Sequence, residues 1–185
     1  MIFHATPLKG AYQIELEKIS DERGYFARAW AMQEFLDHGL EATLSQCNTS
    51  FNHKRGTVRG MHYQLPPHGE VKLVRCTSGA IFDVMIDLRP DSPSFLRWIG
   101  AELSAENGRM LYIPQGFAHG FQALSDGAEI FYMNSAAFEP AAQRGARWND
   151  ALFAIDWPLP VSMINQRDAN YPDSQAGDFE VMRGL

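Results

Sequence analysis

From Ile81 to Leu88 the side chains alternate without a break, with Phe82, Val84, Ile86 and Leu88 on one side of an extended chain and Asp83, Met85 and Asp87 on the other. A helix would scatter such a period of two around its whole circumference, so the stretch can only be a strand with two differently furnished faces. It follows the apolar run Val71 to Cys76 across Thr77-Ser78-Gly79-Ala80, and the two runs read as the arms of a hairpin. Other short runs repeat the plan: Ala11 to Ile19, Leu44 to Phe51, Phe95 to Leu103, Met110 to Ile113 and Glu129 to Asn134. Turn-forming clusters such as Pro90 to Pro93 and Glu106-Asn107-Gly108 separate them. Short strands at this spacing predict an all-β sandwich, jelly roll or barrel. Helix is expected only at the periphery, over Gln33 to Leu40 with Gly39 as a left-handed stop, and as a turn within Trp148 to Asp156 ended by Pro158.

Length and charge bound the rest. The 185 residues suit one domain, 1–185, in which the polar, proline-bearing tail from about 169 to 185 offers little core. The net charge of -6 and the absence of a basic run argue against nucleic acid as a partner, so any phosphate must be met by a few placed cations. No apolar stretch approaches the ~18 residues of a membrane span, and the N-terminus MIFHATPLKG lacks a basic segment followed by an apolar run; no membrane partner and a cytoplasmic location are expected. Cys47 and Cys76 are too few for a disulfide framework and are expected to be reduced, with Cys76 buried in a strand.

The chemistry gathers around Val58-Arg59-Gly60-Met61-His62-Tyr63-Gln64. Strict alternation puts Gly60, His62 and Gln64 on one face and Met61 and Tyr63 on the other. Arg59 falls on the wrong face to share a ligand with His62 unless the chain twists or bulges at Gly60. Upstream, Gln46, Asn48 and Ser50 form a polar row that is either a wet surface or a hydrogen-bonding wall. Arg23, beside Gly24 in the turn Ser20 to Gly24, is either solvated or aimed at an anion.

Two spacings connect these pieces. Gly108, Pro114, Gly116 and His119 match the second motif of the cupins, a jelly-roll superfamily, except that Ala123 stands where that motif ends in asparagine. Gly56 and His62 resemble the start of the first cupin motif, but Gln64 replaces its second histidine, and its glutamate would fall at His68 or Gly69. His62 and His119 alone make a poor divalent site, which normally takes three or four nitrogen, sulfur or carboxylate ligands, so no metal is expected. The strings DERGYF, QCNTSF, VRGMHYQ, KLVRCTSGAIFDVMIDLR, SPSF, IPQGFAHGF and RWND, in that order from about Gly10 to Pro172, resemble the dTDP-4-dehydrorhamnose 3,5-epimerases, metal-free members of that superfamily.

The resemblance implies a cupin-type jelly roll with a few short peripheral helices, no cofactor, and a homodimer with exchanged N-terminal strands. It also implies a nucleotide-sugar substrate, dTDP-4-keto-6-deoxyglucose or a relative, inverted at carbons 3 and 5 for the synthesis of an activated deoxysugar. By the same resemblance His62 is the general base, Asp168 the carboxylate that orients it, Tyr132 the general acid and Lys72 the cation at the keto oxygen. Arg23, Arg28, Gln46, Asn48, Arg59, His119, Gln143 and Arg167 match substrate-binding positions. The family usually has glutamate where this chain has Arg28 and Gln143, and lysine where it has Arg167; the first two changes exchange acceptors for donors and suggest an altered nucleotide or sugar. Alternative readings are a single-carbon epimerase, a metal-dependent cupin, and a non-catalytic sugar-nucleotide binder. The last has no need of a base, an acid and an enolate cation together.

Overall fold

A computed structural model describes residues 1–185. In chain order the strands are β1 (Ile2–Ala5), β2 (Tyr12–Glu15), β3 (Ile19–Asp21), β4 (Gly24–Phe26), β5 (Gln46–Asn52), β6 (Val58–Gln64) and β7 (Lys72–Ser78). They continue with β8 (Ala80–Asp87), β9 (Trp98–Ser104), β10 (Met110–Ile113), β11 (Phe117–Ala123), β12 (Ala128–Asn134) and β13 (Gln143–Gly145). Helix is limited to α1 (Met32–Asp37), α2 (Gln166–Ala169) and a 3-10 segment, Ala176–Met182. One sheet has the order β1-β2-β10-β7-β12-β5, the other β13-β6-β11-β8-β9, and β3-β4 forms a separate ribbon. This is the expected cupin-type jelly roll.

The expected hairpin does not form. Both edges of β7 are taken by β10 and β12, and both edges of β8 by β11 and β9, so Gly79 turns a corner from one sheet into the other. Its φ of +69° lets the chain reverse within one residue. The local turn signal was sound, but local sequence does not say whether two strands joined by a tight turn pair edge to edge or face each other across a core. Here Val74 and Cys76 of β7 meet Ile81 and Met85 of β8 in the apolar layer between the sheets.

Alternation along β8 holds, and both of its faces are covered. Ile81 and Met85 face the inter-sheet core, whereas Val84, Ile86 and Leu88 pack outward with Met61, Ala118, Phe153, Phe179 and Met182. The tail therefore contributes core, contrary to the sequence expectation: Phe179 is 1% exposed, and its ring meets those of Tyr63, Phe95 and Phe153. Its buried apolar side chains, Phe179 and Met182, lie in a seven-residue 3-10 segment, too short for a periodic signal. On the far side, α1 lays Phe35 over the outer face of the first sheet, and Gly39 at φ +69° ends the helix as expected. The turn expected within Trp148 to Asp156 is an isolated one, closed by Ala154 N–H donating to Asp150 O at 3.0 Å. Cys47 is exposed, Cys76 is buried, and they are unpaired. No helix is long and apolar enough to cross a membrane.

Candidate active site

The inter-sheet layer is apolar along part of its length and opens elsewhere into a cleft of about 490 Å³. Opposite walls come from opposite sheets. Strand β6 supplies Arg59, His62 and Gln64, and β11 supplies His119; facing them, β5 carries Gln46 and Asn48, β7 Lys72, and β12 Tyr132 and Asn134. Each strand sends alternate residues inward, so the same face of β12 that carries Ile130 into the core carries Tyr132 and Asn134 into the cleft. The polar row of β5 is thus a wall of the cleft.

Arg59 and His62 both reach this cleft because β6 bulges. His119 pairs with His62 and Phe121 with Arg59, leaving Gly60 and Met61 opposite the single residue Gly120. Gly60 has φ +109°, and a Cβ there would lie 2.6 Å from Gly120 Cα and 2.7 Å from His119 O, so the close crossing admits only glycine. Met61 turns into the outer core, and His62 returns to the cleft.

Behind His62 stands Asp168, fully buried at the start of α2, where Asn165 caps the helix by accepting Asp168 N–H at 2.8 Å. Asp168 Oδ1 lies 2.8 Å from His62 Nε2 and Oδ2 accepts Gly60 N–H at 3.0 Å. Burial by itself would raise this carboxyl, but the His62 hydrogen bond and charge, the Gly60 N–H and the nearby Arg167 hold it below the ordinary aspartate range. An ionised carboxylate only accepts, so His62 Nε2 carries the proton and Nδ1 carries the lone pair. Burial keeps the imidazole below the ordinary histidine pKa against the upward pull of Asp168, and the charges of Lys72 and Arg167 push the same way as burial. At neutral pH His62 is a neutral base held in one tautomer.

A second histidine–aspartate pair lies deeper. His119 Nε2 is 2.7 Å from Asp83 Oδ1, and the other Asp83 oxygen is buried without a partner. The His119 and Tyr132 rings meet edge to face at 6.0 Å, so His119 links the wall of the base to the wall of the phenol. Burial, assisted by the Asp83 charge, raises the Tyr132 phenol well above the ordinary tyrosine value, and it stays protonated.

Lys72 opens β7 with its ammonium 3.2 Å from Glu70 Oε1. Gln143, on the rim, accepts from Arg167 Nη1 at 2.9 Å, and the same guanidinium reaches Asp168 Oδ1 at 3.3 Å. Arg59 is steadied by Asn52 Oδ1 at 2.8 Å and Phe51 O at 3.1 Å. Gln64 lines the cleft with its amide already engaged: Nε2 donates to the His68 carbonyl and Oε1 accepts the Glu139 N–H of neighbouring loops. His62 and His119 each have Nε2 on a carboxylate, and no group of three or more His, Cys, Asp or Glu side chains is placed to hold a metal ion.

Ten of the anticipated residues therefore gather here, and two do not. Arg23 lies on the β3–β4 ribbon against Asp21, and Arg28 pairs with Glu34 of α1 at 3.2 Å, both apart from the cleft. Sequence reasoning missed Glu70, Asn134, Asp83 and the rim residue Phe138. Glu70 sits two residues before Lys72, the spacing that shares a strand face, which was the available signal.

Comparison with known proteins agrees on one family, whose similar members include, beside the 3,5-epimerases, a dTDP-4-dehydrorhamnose 3-epimerase from Streptomyces niveus that is 37% identical over 162 residues, covering 87% of this chain and 78% of its own. A family model described as dTDP-4-dehydrorhamnose 3,5-epimerase matches residues 5–175. The protein of that name from Sinorhizobium fredii is 39% identical over 173 residues, covering 93% of this chain and 89% of its own. The crystal structure of the dTDP-4-dehydrorhamnose 3,5-epimerase from Elizabethkingia anophelis superposes with a TM-score of 0.90 at 38% identity, covering 93% of this chain and 95% of that one. That of the dTDP-6-deoxy-D-glucose-3,5-epimerase from Legionella pneumophila, in complex with dTDP-4-keto-L-rhamnose, gives 0.85 at 35%, covering 91% and 89%. With its sheets, cleft and paired histidines in place, the chain belongs to the dTDP-4-dehydrorhamnose 3,5-epimerase family.

Proposed function

We propose that the protein is an isomerase that inverts carbons 3 and 5 of a dTDP-4-keto-6-deoxyhexose by removing and returning protons. The observation that carries this reading is the placement of a neutral histidine base and a protonated phenol on opposing sheets of one cleft, with an ammonium beside them. The ketone at carbon 4 acidifies the protons on its neighbours. His62 Nδ1 takes one of them, the C–H pair moves into the ring, and the carbonyl pair moves onto oxygen. Lys72 stabilises that oxygen, the kind of preorganised donor whose loss costs about 3 kcal/mol. The carbonyl then re-forms as carbon takes a proton from Tyr132 on the other face, leaving inverted carbon, imidazolium and phenolate, which exchange with solvent before the second inversion. No cofactor enters this sequence.

Arg59, Gln46, Asn48, His119, Gln143 and Arg167 bind the substrate in this reading, with Arg59 and Arg167 the cations for its pyrophosphate. The ring of Phe138, half exposed at the rim with its N–H on Gln46 Oε1 at 3.1 Å, offers a stacking surface for the nucleobase. Arg23 and Arg28 enter through dimerisation. The β3–β4 ribbon exposes Ile19 at 72% and Phe26 at 71%, an apolar arm fit to be covered by a second copy. A homodimer that exchanges N-terminal elements covers it and carries both arginines toward the partner's cleft. The setting is a cytoplasmic pathway to an activated deoxysugar. Incubation with dTDP-4-keto-6-deoxyglucose, followed by proton NMR of the ring couplings, tests the reaction: inversion at both carbons is expected. Inversion at carbon 3 alone makes it a mono-epimerase, and binding without turnover makes it a sugar-nucleotide binder.

A further inference from the structure

The Lys72 ammonium does not hang free in the cleft. Glu70 Oε1 holds it at 3.2 Å, both side chains being only 11% exposed, and the His62 carbonyl accepts from it at 3.4 Å. The second carboxylate oxygen is engaged too: Asn134 Nδ2 donates to Oε2 at 2.7 Å, and Asn134 Oδ1 accepts from Asn48 Nδ2 at 3.3 Å. The backbone beside Glu70 is clamped to the end of β12, with Val71 N–H donating to Ser135 Oγ at 2.8 Å and Ser135 N–H to Val71 O at 3.0 Å. A continuous rail, Lys72–Glu70–Asn134–Asn48, thus runs along the wall opposite His62 and ends on residues that face the ligand.

We propose that Glu70 is a positioning residue for the reaction: it fixes the Lys72 ammonium where the enolate oxygen develops and couples that placement to Asn48 on the substrate-binding wall. A lysine has three N–H donors on a flexible stem. The His62 carbonyl accepts one of them and the ion pair with Glu70 holds the ammonium from the other side, so the remaining donors are directed rather than searching. The His62 carbonyl ties the cation to the strand of the base, and Glu70 ties it to the strand of the acid through Asn134, two residues beyond Tyr132 on the same face of β12. An exposed ion pair would contribute almost nothing. This one is enclosed, and its carboxylate makes no contact outside the site.

The proposal rests on the epimerase reading, and the test separates the two. Glu70→Gln keeps the shape and removes the charge. Misplacing a catalytic group by about 1 Å can cost ~100-fold, so kcat is expected to fall about 10- to 100-fold with KM changed less than about threefold. In a Lys72→Met background the same substitution should change kcat less than about twofold, because a residue that acts only through Lys72 has nothing left to position. A readout without turnover is competitive acetylation of lysines by acetic anhydride, scored by mass spectrometry. Without its counter-ion Lys72 should react several-fold faster relative to Lys54, which is exposed and does not line the cleft. Equal losses in both backgrounds, or unchanged Lys72 labelling, overturn the proposal. Raised Lys72 labelling in Glu70→Gln, together with a wild type that shows no epimerase activity, leaves the Glu70–Lys72 link standing and removes the reaction. Should Glu70→Gln not fold, Glu70→Asp, which retains the charge but shortens the reach, goes through the same cycle with the same criteria.

Discussion

Replacing Asp168 by asparagine changes one atom's chemistry and forces a choice the carboxylate avoids. In the native site Oδ1 takes the proton of His62 Nε2 while Oδ2 takes Gly60 N–H. An asparagine has one acceptor. If its oxygen stays on Gly60, its NH₂ faces His62 Nε2 and drives the ring proton to Nδ1, which removes the lone pair that would accept the substrate proton. If it turns to His62, the amide opposes Gly60 N–H and leaves a buried donor unpaired, at about 1–3 kcal/mol. General base assistance is worth about 10²–10⁴ in rate, or roughly 3–5 kcal/mol at 1.36 kcal/mol per tenfold. We expect Asp168→Asn to lower kcat/KM by about 10³ and to lower Tm by about 2–12 °C, since a chain of this size shifts roughly 2–4 °C per kcal/mol. Asp168 raises the histidine pKa against the larger effect of burial. Any residual activity should therefore show its acid limb displaced further below the histidine reference value of 6.5. Rates across pH from a discontinuous NMR assay, beside thermal melts, measure both effects. A variant within threefold of wild type whose acid limb is unmoved would refute the assignment of Asp168 as the partner that sets the tautomer.

Three further outcomes follow from the same geometry. Arg167→Gln removes a cation that pushes the His62 pKa down, so the acid limb of kcat/KM should move upward, and an unmoved limb would detach Arg167 from the dyad. Gly60→Ala places a methyl 2.6 Å from Gly120 Cα at φ +109°, so β6 and β11 must part; Tm should fall by several degrees and kcat by more than tenfold, and near-wild-type values would show that the bulge is not needed to bring Arg59 and His62 together. Phe179→Ala should cost about 3–5 kcal/mol in denaturant unfolding, whereas a loss under 1 kcal/mol would return the tail to the surface.

Much of this was written in local sequence. Strand alternation separated the two faces of β8 and put the polar row of β5 on one face, and the conflict between Arg59 and His62 pointed to a twist or bulge at Gly60. What escaped was set by distant partners. The Gly79 turn looks the same whether it closes a hairpin or crosses between sheets, and only the occupancy of both edges of β7 decides. Phe179 and Met182 lie in a polar stretch whose burial depends on an outer sheet face left open by other strands. Arg23 and Arg28 lie on a ribbon that one chain does not bring to its own cleft, so their role depends on a second subunit. Asp83 was visible in the β8 alternation, but its partner His119 arrives from 36 residues away.

The central claim, that His62 and Tyr132 exchange protons with opposite faces of one sugar, is tested most directly by proton NMR of dTDP-4-keto-6-deoxyglucose incubated with the protein in D₂O, comparing wild type with His62→Ala and Tyr132→Phe. The account predicts deuterium at carbons 3 and 5 with wild type, none with His62→Ala, and exchange without inversion with Tyr132→Phe. Exchange and inversion that persist in His62→Ala would contradict it.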